Sequence, residues 1–156
     1  MTKTMKGLLW SLALGLSAPL MALEIGQPLP YLTLDDQHGD AHSVGHELSV
    51  MLFTRDKAGS DVASGALAGI EQSRLEQAGI VYVADTSVMP ALITRMFALP
   101  KMKKQSFLTL MDSQGSATAT LPFEDGKVSV LGFEGGALTQ VSHLDDAKQL
   151  KQVLGL

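Results

Sequence analysis

Two stretches of the chain gather side chains that can do chemistry. His38, His42 and His46 recur every four residues with Asp36, Asp40 and Glu47 among them, and imidazole and carboxylate are the ligand types of zinc and its neighbours. On a helix that spacing would stack the rings on one face, but Gly39 and Gly45 interrupt it. The segment reads as a hairpin turn with its return strand, on which His38 and His42 share a side. A metal site through His38, His42 and His46 is therefore kept only as an alternative.

The second stretch is Leu52 to Gly65, LFTRDKAGSDVASG, an apolar strand running through a polar loop into a helix start. Arg55, Asp56, Lys57 and Asp61 crowd there. Free N–H groups at a helix start attract anions, so the loop is a candidate ligand site. A capping aspartate would occupy that position itself, leaving a solvated ion-pair loop.

Three other patterns read as structure. GFEGG lacks the full dinucleotide fingerprint and lies between alternating runs, which makes Gly135-Gly136 a hairpin turn. PKMKK is a basic patch that places Lys101, Lys103 and Lys104 after a helix, where cations suit the C-terminal dipole; a solvated helix end is favoured over an anion or lipid site. Met89, Met96, Met102 and Met111 fit core packing better than copper ligation.

The elements that must position these groups follow from periodicity and punctuation. With 156 residues and 46% apolar content the chain suits one domain. Residues 1–22 have the layout of a secretory signal: Lys3 and Lys6, an apolar run from Gly7 to Leu16, then Pro19 and small residues, with cleavage expected after Ala22. The run is shorter than the ~20 residues that span a bilayer. Residues 23–156 carry ten basic against sixteen acidic side chains, a net −6 that disfavours nucleic acid and anionic lipid. No cysteine is present, so thiol chemistry is excluded and the core must supply the stability.

Leu32 and Leu34 begin a β-hairpin behind a proline-stiffened lead. Leu48 to Phe53 reads as a strand buried on both faces, central in a parallel arrangement. A helix capped by Ser60 or Asp61 is expected to run to Ala78 and stop at Gly79. IVYVADTS is a second buried strand, followed by a helix with Ser87 as cap, Pro90 in its first turn and Pro100 beyond its end. SFLTLMD is a third strand, reached by a parallel crossover. After an irregular or helical connection, a hairpin about Gly135-Gly136 and a helix capped by Asp145 or Asp146 close the chain.

This order, with Gly26, Pro28, Pro30, Leu34, Asp36 and Gly39 in the lead and a closing hairpin plus helix, resembles extracytoplasmic thioredoxin and peroxiredoxin relatives. The resemblance implies a thioredoxin-like three-layer α/β/α fold over residues 24–156, with a mixed central sheet and an N-terminal β-hairpin. An inserted helix and strand, about Val88 to Asp112, would add SFLTLMD beside IVYVAD at the sheet edge. It also puts the family's Cys-x-x-Cys on Ala58, Gly59, Ser60 and Asp61, and the family's cis-proline just before Val128, where Gly126 and Lys127 stand. Dithiol exchange needs a thiolate, which neither alanine nor aspartate supplies.

The reading that follows is a secreted, periplasmic, redox-inactive binding or accessory module. No cofactor is implied, and the partner would be an envelope protein or peptide, met by the sheet edge or the redox-loop face. The alternative is a cysteine-independent enzyme using Asp61, Arg55 and Asp56 as acid–base or orienting groups, or a small-ligand or metal-binding protein. No set of base, nucleophile and orienter assembles from the sequence.

Overall fold

The computed structural model describes residues 20–156. The expected signal segment falls mostly outside the described residues, and Leu23, next after the expected cleavage point, is already buried in the core. Among the described residues, the two core clusters draw their side chains from Leu23 to Leu156.

Seven strands form one mixed sheet in the order β2-β1-β5-β4-β3-β6-β7. β1 (Leu32–Asp35) and β2 (Ala41–Val44) make the expected hairpin, and the alternation at Leu32 and Leu34 puts both leucines in the core. β3 (Val50–Thr54) is interior and runs parallel to β4 (Ile80–Asp85), which holds the middle of the sheet. β4 is parallel to β5 (Leu110–Asp112), and β3 is antiparallel to β6 (Val128–Glu134). β6 turns into β7 (Ala137–Leu144) through Gly135 and Gly136, with φ of +57° and +82°, the left-handed pair a two-residue hairpin demands.

One face of the sheet is covered by α1 (Lys57–Leu67), α2 (Gln72–Gln77) and α5 (Ala147–Leu154), which contribute Ala63, Leu67, Leu75 and Leu150. The other is covered by the N-terminal lead and the irregular stretch 113–127, through Leu23, Leu121 and Phe123. Asp146 caps α5, accepting the Gln149 N–H at 2.7 Å.

Four expectations need correction. The expected helix from Ser60 or Asp61 to Ala78 is two helices. Asp56 caps the first, and Gly69, at φ +77°, ends its last turn. The gap is held from outside: Ser106 donates its hydroxyl to the Ile70 carbonyl at 2.7 Å and accepts the Gln72 N–H on its own carbonyl at 3.0 Å.

After β4, Ser87 does not cap a helix, because its N–H and hydroxyl both turn back to Asp85. Helical structure starts instead at α3 (Ala91–Ile93), widens into a π turn (Thr94–Ala98) and ends in α4 (Leu99–Met102). Pro100 thus lies inside the helical stretch, and the wide turn sits directly before this residue that cannot donate to the ladder.

SFLTLMD pairs as a strand only at Leu110–Asp112. Ahead of it the buried Gln37 side chain stands in for a neighbouring strand, donating to the Phe107 carbonyl at 2.8 Å and accepting the Thr109 N–H at 2.9 Å. Finally, β5 is not an edge strand, since β1 pairs along its outer side through Asp35 and Met111.

Candidate functional site

β3 and β4 end side by side, and the polar loop after β3 was the sequence's strongest candidate. Each of its charged groups has a partner. Arg55, half-buried, donates from Nε to Asp85 Oδ2 at 3.0 Å and from an Nη to the Thr118 carbonyl at 3.4 Å. Its guanidinium lies 4.8 Å from the Phe123 ring centroid and 5.5 Å from that of Phe53, within cation–π range. Asp85 spends its other oxygen on the Ser87 N–H at 2.9 Å and hydroxyl at 2.6 Å.

Asp56 works in two directions. Its Oδ1 accepts the Gly59 N–H at 2.7 Å, and its Oδ2 accepts the Gly126 N–H at 2.6 Å. The same carboxylate therefore caps α1 and ties the helix start to the turn preceding β6. Those are the two loops that the resemblance would set on either side of a redox centre. They meet so closely at Gly59 that a Cβ there would stand 2.5 Å from the Lys127 carbonyl oxygen.

Of the four positions aligned with the missing motif, Ala58 is exposed and Gly59 is buried against Lys127. Ser60 shares a hydroxyl bond with Thr54 at 3.1 Å, which shares another with Tyr82 at 3.1 Å. Burial pushes the Tyr82 phenol above its usual range against the opposing pull of Ser60 and Thr54, so it stays protonated. Asp61 forms an exposed ion pair with Lys57 one turn away and is not the cap. No nucleophile, base and orienter come together in this loop.

Beside it lies a groove of about 300 Å³ between the first turns of α1 and the stretch from β4 to α4. Arg55, Asp56, Lys57, Ser60 and Asp61 stand at one wall, while Ala84, Met89, Ile93, Phe97 and Met102 give it an apolar surface. The sequence did not disclose this hollow, because the far wall comes from a helix whose boundaries were misjudged.

The three histidines are not brought together. The His42 ring nitrogen Nε2 meets Asp36 Oδ2 at 2.8 Å, His38 offers only its backbone N–H to that carboxylate at 2.7 Å, and the His46 ring packs against Gly136 in the other hairpin. Among the described residues no three His, Asp or Glu side chains are placed to hold a metal. Burial raises the Asp36 carboxyl, but the bonds from His42, His38 and Asp40 outweigh it and hold the group below its usual value.

Three anchoring residues escaped sequence reasoning: Gln37, Asp85 and Asp112. Asp112 faces Asp85 in register and gathers the N–H groups of Gln114, Gly115 and Thr118 together with the Thr118 hydroxyl. Aspartate followed by a Ser/Gln/Gly turn after an apolar run was the available signal, and it marked the turn without revealing what the buried carboxylate does.

No family model and no curated protein matches the sequence. Solved structures do match the fold. Peroxidoxin BcpB from Mycobacterium tuberculosis is 12% identical, with 85% of this chain and 95% of that one covered at a TM-score of 0.57. The thioredoxin domain of a thiol-disulfide oxidoreductase from Bacteroides vulgatus is 10% identical over 85% and 99% at 0.52. A peroxiredoxin-like protein from Aquifex aeolicus is 11% identical over 86% and 87% at 0.52. Likeness at this identity concerns the fold alone. The chain has a thioredoxin-like fold, and its sequence contains no cysteine.

Proposed function

We propose that the protein is a redox-inactive binding module of the bacterial periplasm, which recognises an extended apolar segment of an envelope protein in the groove beside Arg55 to Asp61. The observation that carries this reading is the groove itself, open and largely apolar, next to a loop whose polar groups are all engaged. Concave apolar surfaces with a few polar groups at the rim are where chains and small molecules bind. The periplasmic address rests on the layout of residues 1–22. With no thiol in the chain, the role left to this face is recognition.

Crosslinking in intact envelopes tests it. Ala98 lines the groove from the helical side and is half-buried, so Ala98→Trp fills the hollow without adding charge. The wild-type chain is expected to give one discrete crosslinked partner and Ala98→Trp to lose it. No crosslinked species, or one that Ala98→Trp leaves undiminished, would refute the reading.

A further inference from the structure

The stretch between β4 and β5 is unlike the rest of the molecule. From Thr86 to Met111 it holds four basic residues, Arg95, Lys101, Lys103 and Lys104, and no acidic one. The other described basic residues are Arg55, Lys57, Arg74, Lys127, Lys148 and Lys151, set against all sixteen acidic residues of the chain. The net negative charge read from composition thus conceals a segregation along the chain: this stretch carries cations and no acid, although Asp56, Asp61 and Asp85 share the groove with Lys101.

The same end is apolar and uncovered. No residue of α3, the π turn or α4 is buried. Val88, Leu92, Ile93, Met96 and Phe97 are each between 42% and 66% exposed. Leu92 and Met96, like Ile93 and Phe97, are four apart, so they stand on one side of the helical stretch as a ridge. Single exposed apolar residues are ordinary on a monomer, whereas a contiguous ridge marks a contact surface. Ile93 and Phe97 also edge the groove, but Leu92 and Met96 lie outside it.

We propose that this insert docks the protein on an anionic phospholipid surface, with Leu92, Met96 and Phe97 entering the headgroup boundary and Lys101, Lys103 and Lys104 lying against the phosphates. Charge complementarity names the occupant. A helix with protruding large apolar side chains and only cationic charges is the make-up of interfacial helices, whose binding adds apolar burial to attraction for anionic lipid. None of the three lysines has an ion-pair partner among the described residues. The remainder of the described chain, with six basic against sixteen acidic residues, is repelled by the same surface, which favours approach through the insert. The groove then opens beside the bilayer. This docking goes beyond the partner-binding reading; Phe97 and Lys101 belong to both surfaces, whereas Leu92, Met96, Lys103 and Lys104 do not line the groove, so substitutions at these four test the docking separately.

Vesicle flotation of the protein as purified from the cell tests the proposal. The probes are vesicles of phosphatidylcholine alone and of phosphatidylcholine mixed with phosphatidylglycerol, at low and high salt. Binding is expected only to the mixed vesicles and to weaken as salt rises. The double variant Lys103→Gln, Lys104→Gln should lose about 25-fold in partition, roughly fivefold per lysine. Leu92→Ser with Met96→Ser should lose at least about tenfold while leaving the circular dichroism unchanged. Failure of the wild-type chain to float with the mixed vesicles, or equal flotation of both variants, would overturn the proposal. So would a lipid-free dimer in sedimentation that Leu92→Ser with Met96→Ser dissolves, since a second copy would then cover the ridge.

Discussion

The loop after β3 and the insert after β4 face each other across one groove, yet they spend their polar and apolar side chains in opposite ways. In the loop each buried or half-buried charge is consumed internally: Asp56 by two backbone N–H groups, Asp85 by Arg55 and Ser87, Arg55 by Asp85, Thr118 and two aromatic rings. In the insert the cations are unpaired among the described residues and the large apolar side chains point away from the core. The first region is a structural knot, whereas the second leaves its cations and large apolar side chains exposed.

The difference can be broken by substitution, and the largest effect is expected in the knot. Asp85→Ala strands the Arg55 guanidinium and leaves the Ser87 groups without their acceptor, which should cost about 3 kcal/mol of unfolding free energy after allowance for the partial exposure of Arg55. The denaturant midpoint measures it; a cost below ~1 kcal/mol would mean that water replaces the carboxylate and the knot is loose.

A smaller and pH-dependent loss belongs to Asp36, another carboxylate that organises a turn. Its folded value lies below the ordinary 3.8, so its contribution is complete above that value and disappears as pH falls through the lower folded one. Asp36→Asn should therefore be about 1–2 kcal/mol less stable than wild type at neutral pH, with the two stability curves converging in acid. Parallel curves down to the acid limit would remove the charge from the explanation.

The smallest effect is expected in the insert, where Leu92→Ser should shift stability by no more than about 0.5 kcal/mol because that side chain is 66% exposed. A larger loss in thermal unfolding would mean that the ridge is covered in solution.

The same contrast explains what could be read from the sequence. Hairpins at residues 32–44 and 128–144, the buried runs of β3 and β4 and the capped closing helix follow from local period and punctuation, so they were legible. Asp56 was named as a candidate ligand group, but its choice over Ser60 and Asp61 as cap is made by the Gly126 N–H, seventy residues away. The break at Gly69 is likewise held by Ser106, and the shortening of SFLTLMD by Gln37. Such long-range polar contacts leave no periodic trace. The insert's lysines were read as a solvated helix end rather than an anion or lipid site, and Met96 was taken for core although it is 58% exposed, because the apolar spacing of a helix does not say whether anything lies opposite.

The sheet ends at β2 on one side and β7 on the other. The lead runs along the outer rim of β7: Pro28 bridges to Ala137, the Leu138 N–H donates to the Gln27 carbonyl at 2.9 Å, and the Gly26 N–H donates to the Leu138 carbonyl at 2.7 Å. Pro28 and Pro30 then offer no amide hydrogen to any newcomer. A few residues upstream of the first strand thus serve as the hem of the fabric. Trimming the chain past Gly26 would take Leu23 from the core and also bare the start of an eight-residue rim to strand-on-strand pairing, so such a fragment would be prone to associate as well as to unfold.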